Sequence, residues 1–204
     1  GGFSAYHREG SCDIIMQIGT AKYGVRDAEG NFSPSRTKEI NEFVKAFEIK
    51  LSQGAKPGKG GVLLGAKVNP EIASIRGIPE YQDSISPNRH YDIRNINELL
   101  DKVAYIRELT GKPVGVKTAI GGWHFMNELC EAILRRGLDY APDFLTIDGG
   151  EGGSGAAPQT LMDHAGLPIA EALPRVIDSL IESDLKKRIR VIAAGKLVTS
   201  AHGA

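Results

Sequence analysis

Five short apolar runs recur along this chain, and a helix-length segment separates most of them from the next. They are Asp13–Ile18, Phe47–Ser52, Pro113–Thr118, Asp143–Ile147 and Arg190–Ala194. Each is too short for a helix and carries the β-branched and aromatic residues of a strand. Between them, Asn95–Leu109 places Ile96, Leu99, Leu100, Val103, Ile106 and Leu109 at helical spacing, and Gly111 stands where a helix would stop. Further helices are expected over Arg36–Lys45 with Ser35 as its cap, over Asn69–Arg76 with Asn69 as cap and Pro70 in the first turn, over Trp123–Arg136, and over Ala170–Lys187. A last helix begins near Thr199. Strands joined by helical crossovers pair in parallel, and unbroken apolar runs suit strands buried on both faces.

Two architectures meet these conditions. One is an open, doubly wound sheet. The other is a parallel (β/α)8 TIM barrel, incomplete here, with about five βα units. The barrel is favoured because the glycine-rich loops all follow strands, which puts them on one face. The whole chain, residues 1–204, is expected to be one partial barrel domain.

Composition narrows the function classes. Formal net charge is zero, so nothing favours a nucleic-acid partner. No apolar run reaches the roughly 18 residues of a membrane helix, and no signal peptide opens the chain. Cys12 and Cys130 form no CxxC pair and the five histidines show no metal-binding spacing, so a cytoplasmic setting and no metal site are expected.

Three loops after strands carry the chemistry. Gln53-Gly54-Ala55-Lys56-Pro57-Gly58-Lys59-Gly60-Gly61 has four glycines and two lysines in nine residues. Its backbone can approach a ligand closely, and Lys56 can meet a carboxylate or a phosphate. Arg76, some twenty residues on, offers a bidentate clamp. The second loop, Asp148-Gly149-Gly150-Glu151-Gly152-Gly153-Ser154-Gly155, has the free N–H groups of an anion cradle but no Walker lysine. The third is Gly195-Lys196 after the last strand. Lys117, in Val116-Lys117-Thr118, points toward a barrel mouth. Each also has a plainer reading: a solvated turn for the first loop, a glycine turn for the second, a surface arginine for Arg76 and an exposed strand end for Lys117.

Taken together, these motifs resemble the FMN-binding domain of glutamate synthase and the stand-alone FMN-binding glutamate synthase-like proteins. The matching pieces are the Gln53–Gly61 loop, Lys67-Val68-Asn69-Pro70-Glu71-Ile72-Ala73 with Arg76, Ser84-Ile85-Ser86-Pro87, Val116-Lys117, Asp148–Pro158, and Gln17-Ile18-Gly19-Thr20. They run in the family's order over nearly the whole chain. The resemblance implies a barrel that carries FMN at its mouth and reduces 2-iminoglutarate, formed from 2-oxoglutarate and ammonia, to L-glutamate. It implies that Gln53, Lys56 and Arg76 bind 2-oxoglutarate, and that Lys117 is the catalytic lysine near the flavin N1/O2 edge. It further implies FMN contacts from Gln17, Asp148, Gly149, Gly150, Gly152, Gly153, Gly155, Gly195 and Lys196. An iron–sulfur cluster is expected only from cysteines downstream of this segment. A separate glutaminase or electron-donor subunit is the expected partner. The family often has a glutamine where this chain has Val62, and an acidic residue where it has Lys59. Those two positions keep open a related FMN barrel that transfers an amine or methylamine group onto glutamate; the barrel units expected to be missing at both ends keep open a non-catalytic assembly subunit.

Overall fold

A five-stranded parallel sheet organises the molecule. The structure is a computed structural model that describes residues 1–151 and 157–197. After a single helical turn, α1 (Tyr6–Glu9), come β1 (Ile15–Ile18), α2 (Pro34–Asn41) and β2 (Ala46–Lys50). A two-stranded antiparallel pair, β3 (Val62–Leu63) and β4 (Ser84–Ile85), brackets α3 (Pro70–Arg76). The remaining elements alternate: α4 (Ile96–Thr110), β5 (Val114–Thr118), α5 (His124–Arg136), β6 (Phe144–Asp148), α6 (Ile169–Glu182) and β7 (Arg190–Ala194). Strand order in the main sheet is β1-β2-β5-β6-β7, so each strand joins on the same side as the one before it. No reversal of strand order occurs, and such a reversal is what a doubly wound sheet requires at its switch point.

The two sheet faces differ sharply. Phe47, Ile49, Val116, Leu145 and Ile147 alternate onto one face and are at most 1% exposed. They pack with Leu99, Leu100, Val103 and Ile106 of α4, Met126, Leu129 and Ile133 of α5, and Ala172, Val176 and Leu180 of α6. The opposite face carries Gln17, Glu48, Lys50, Gly115, Lys117, Thr146 and Asp148. At its edges Ile15 and Ile192 remain 49% and 40% exposed. The central strands β2, β5 and β6 are buried on both faces as expected, Lys50 and Lys117 being half-buried, but the face away from the helices is lined largely by polar side chains.

Local chemistry sets the helix ends. Asn69 and Asn95 cap α3 and α4 by accepting the Ile72 and Glu98 N–H groups, and Gly77 and Gly111 end those helices in the left-handed region. α2 is capped by Ser33 rather than the expected Ser35. Pro34 then takes the first helical position, where its missing N–H costs nothing. α6 stops at Glu182, short of the expected Lys187. Asp184 turns left-handed (φ 54°), and the Leu185 and Asp184 N–H groups bond back to the Leu180 and Ile181 carbonyls. That is a Schellman stop built on aspartate, with Leu180 and Leu185 both fully buried. The strands β3 and β4 were not expected from the sequence. The helix expected from Thr199 lies outside the described residues.

Candidate functional site

The C-terminal ends of β1 and β2 open into a cleft of about 220 Å³ lined by Gln17, Tyr23, Lys50, Gln53, Lys56 and Ser86, among others. Lys59, Gly60 and Gly61 of the glycine loop close its rim. The loop is held from both sides. Asp148 at the end of β6 accepts the Gly54 N–H at 2.8 Å. Any Cβ on Gly54 would lie 1.7 Å from the Gly149 carbonyl oxygen, so only glycine lets these two strand ends meet. On the far side Ser86 N–H donates to the Gly61 carbonyl at 2.8 Å. The Ser84–Pro87 segment is itself pinned by the Tyr23 hydroxyl, which contacts Ser84 and Ser86, and by Thr20 Oγ1 donating to the Pro87 carbonyl.

Register brings the charges together. Lys50 and Lys117 are directly paired between β2 and β5, so their side chains emerge side by side. Lys117 lies 3.5 Å from Asp148. Lys50 Nζ instead donates to Gln53 Oε1 at 3.0 Å. Burial lowers the Lys50 pKa, and the neighbouring Lys117 and Lys56 lower it further, against the opposing pull of Asp148 and Glu48. One layer below, Glu48 is 7% exposed and reaches across Gly115 to accept Thr146 Oγ1 at 2.5 Å, while Gln17 Nε2 donates to its other oxygen at 2.6 Å. Gly115 itself makes room for the Phe144 ring, which a Cβ there would meet at 2.2 Å.

Most of the residues singled out from the sequence fall around this strand-end region. Gln17, Gln53 and Lys56 line the cleft; Lys117 and Asp148 stand beside it. Gly149 and Gly150 are buried, with Gly149 N–H bonded to the Ala194 carbonyl of β7. Gly195 follows in a left-handed turn (φ 135°) and Lys196 is exposed. Arg76 does not line the cleft. Its guanidinium lies over the Tyr23 ring at 4.9 Å, behind the cleft wall, and lines a separate surface groove with Arg26 and Arg36. Gly152, Gly153 and Gly155 lie outside the described residues. Lys50 and Glu48 were missed in the sequence. The signal was there in Glu48-Ile49-Lys50, whose alternation puts both polar side chains on the face away from the helices. Among the described residues no cluster of His, Cys, Asp or Glu suits a metal ion, and no helix is long and apolar enough to cross a membrane.

A parallel α/β sheet with a lysine-rich, glycine-walled cleft at its strand ends defines an α/β protein whose candidate ligand site lies at the C-terminal ends of its strands. Comparison with known proteins narrows this class. The family model described as a conserved region in glutamate synthase matches residues 1–203, and the chain belongs to that family. It is 43% identical over 202 residues to the glutamate synthase large subunit-like protein YerD of Bacillus subtilis, covering 98% of this chain and 38% of that protein. It is 39% identical over 190 residues to an archaeal glutamate synthase [NADPH] of Methanocaldococcus jannaschii, covering 92% and 34%. It is 36% identical over 203 residues to an archaeal-type glutamate synthase [NADPH] of Thermotoga neapolitana, covering 98% and 37%. The chain therefore spans little more than a third of each of these relatives. A solved 2,3-dimethylmalate lyase overlaps it with a TM-score of 0.42 at 14% identity, covering 96% of this chain and 54% of that one, too weakly to bear on the fold.

Proposed function

We propose that this chain is part of the wall of a (β/α)8 barrel that carries FMN and 2-oxoglutarate, in an oxidoreductase that forms L-glutamate. The observation that carries the reading is the Lys50–Lys56–Lys117 group at the strand ends, of which Lys117 alone has a carboxylate, Asp148, within 4.0 Å among the described residues. Desolvated like charges are costly unless an anion joins them. Singly wound strand order, with helices on one face and polar residues on the other, supports barrel closure by chain beyond this segment.

The substrate in this reading is 2-oxoglutarate. Lys56 and Gln53 hold one of its carboxylates in the cleft, and Arg76 takes the other by swinging past Tyr23. Ammonia condenses with the keto group and releases water, giving 2-iminoglutarate. Addition of a hydride and a proton then yields L-glutamate. FMN, when bound, supplies the hydride. The residues present fit its ring: Lys117, at the end of β5, offers positive charge to an N1/O2 edge that gains electron density on reduction. The first turn of α6 is a poorer phosphate site, since the Glu151 carboxylate already accepts the Ile169 N–H there at 2.7 Å. We assign the phosphate instead to the glycine-rich sequence after Glu151, with Gly195 and Lys196. A glutaminase or electron-donor subunit would supply ammonia and reducing equivalents.

The test is reconstitution of the full-length protein with FMN. The expected result is a flavin absorbance band that glutamate bleaches anaerobically. Intact protein with no flavin, or a flavin indifferent to both glutamate and 2-oxoglutarate, sinks the proposal. A second reading, amine or methylamine transfer onto glutamate, draws on Lys59 at the cleft rim and Val62, 59% exposed, beside it. Turnover with methylamine but not ammonia would favour it.

A further inference from the structure

We infer that Lys50, which no motif singled out, is a positioning residue of the oxo-acid site: it turns the Gln53 amide so that the NH2 group faces the bound carboxylate. The inference rests on the reading of the cleft as a 2-oxoglutarate site.

An ammonium only donates hydrogen bonds. The Gln53 atom 3.0 Å from Lys50 Nζ must therefore be its oxygen, which fixes the amide orientation without appeal to electron density. Gln53 Nε2 has no partner among the described residues and is left to donate into the cleft. A carboxylate needs that orientation, because the reverse one would set oxygen against oxygen.

Lys50 is itself held in place from three directions. Its carbonyl is bonded by Nε2 of the buried His90 at 2.9 Å. Its strand is registered against Lys117 of β5. Nearby carboxylates do not draw its ammonium away: Glu48 is engaged by Gln17 and Thr146, Asp148 faces Lys117 and the Gly54 N–H, and among the described residues no acid lies within 4.0 Å of Lys50. A partly buried ammonium whose single acceptor is a neutral amide holds that amide firmly, since the alternative is an unpaired buried charge. The charged and titratable side chains around it are Glu48 on its own strand, Lys117, Asp148, Lys56 and His90.

The experiment uses full-length, FMN-loaded protein, with 2-oxoglutarate titrated by calorimetry and KM and kcat measured in parallel. Lys50→Met should raise the dissociation constant and KM at least tenfold while kcat stays within threefold. Lys50→Arg, which still only donates, should stay within threefold of wild type throughout. Because Lys50 acts through Gln53, Lys50→Met combined with Gln53→Met should bind no more weakly than Gln53→Met alone. Burial and like charge depress the Lys50 pKa, so wild-type affinity should fall at alkaline pH before that of Lys50→Arg does; this arm stands even if Lys50→Met does not fold. Unchanged affinity in Lys50→Met, losses that multiply in the double variant, or identical pH profiles for wild type and Lys50→Arg would each overturn the inference while leaving the site reading intact. A wild-type protein that binds no 2-oxoglutarate overturns both.

Discussion

The two ends of the parallel sheet handle charge in opposite ways. At the N-terminal end, Asp143 receives Arg107 at 2.9 Å and Arg188 at 3.0 Å, and its Oδ2 also accepts the Val114 N–H at 2.8 Å. The remaining guanidinium donors go to the Asp139 and Ala141 carbonyls. That end stitches α4, β5, β6 and the approach to β7 into one unit. At the C-terminal end Lys50, Lys56 and Lys117 gather near Asp148, which lies 3.5 Å from Lys117, with Glu48 one layer below. One end has its carboxylate in direct contact with both guanidinium groups and serves the fold. At the other, among the described residues, neither Lys50 nor Lys56 pairs with a carboxylate within 4.0 Å, and like charges held close cost stability.

The largest test of that division is Asp143→Ala. Removing one partner of a part-buried ion network leaves two arginines and an N–H group short of an acceptor, and breaking such pairs costs about 3–5 kcal/mol when they are fully buried. The Asp143 side chain is 26% exposed, so solvent screening reduces the expected loss to about 2–3 kcal/mol. Urea unfolding should show it, with 2-oxoglutarate affinity of the folded protein unchanged. A large loss of affinity without loss of stability would erase the distinction between the ends. Gly115→Ala comes next. Its methyl would run into the Phe144 ring, and such overpacking costs about 1–3 kcal/mol. It should also disturb the Glu48–Thr146 link above it, detectable as a lowered melting temperature together with weaker binding. Lys56→Met should act oppositely to Asp143→Ala. Affinity for 2-oxoglutarate should drop about tenfold, worth about 1.4 kcal/mol. Stability should hold or rise by a few tenths of a kcal/mol, because one of three like charges is gone. A destabilised Lys56→Met would mean that the lysine group is structural.

Much of this arrangement was legible in the chain. The glycine loop and the strand that leads into it follow from local spacing. Asn69-Pro70 and Gly111 mark helix ends by residue type alone. What stayed hidden depends on pairing across the sheet. That Lys50 stands beside Lys117, or that Glu48 meets Thr146 over Gly115, is fixed by register, and register has no local signature in separate strands. Ser33 and Ser35 are equally good caps by type, and Pro34 between them decides the matter once it is seen to sit at the first helical position. Asp184 replaced the glycine that usually announces a helix stop. Arg76 illustrates a different limit. Its sequence distance from Lys56 matches the family motif, yet its guanidinium rests on Tyr23, a contact that spacing cannot reveal.

Asp92 gives the smallest and sharpest probe, because it pairs its lysines where Lys50 does not. Lys22 Nζ lies 3.0 Å from one of its oxygens and Lys102 Nζ 2.7 Å from the other, with Lys22 itself 5% exposed. Burial works to raise the Asp92 pKa, but hydrogen bonds from Lys102 and Lys22 outweigh it and hold the value at about 2, against 3.8 ordinarily. The unfolded chain therefore takes up a proton first as pH falls. The stabilisation is complete above about pH 4 and is lost between about 4 and 2. With the side chain a third exposed, about 1 kcal/mol is at stake after allowance for solvent screening. Lys50 has the opposite sign: its folded-state pKa is depressed, so its contribution to stability improves as pH climbs toward 10.5. Urea midpoints for Asp92→Asn and wild type should differ at pH 6 and converge near pH 2. Lys50→Met should differ least from wild type above about pH 10.5, where wild-type Lys50 has lost its charge in the folded and the unfolded chain alike. If the Asp92→Asn gap persists unchanged at low pH, the ion triad is not what separates a balanced lysine from an unbalanced one in this protein.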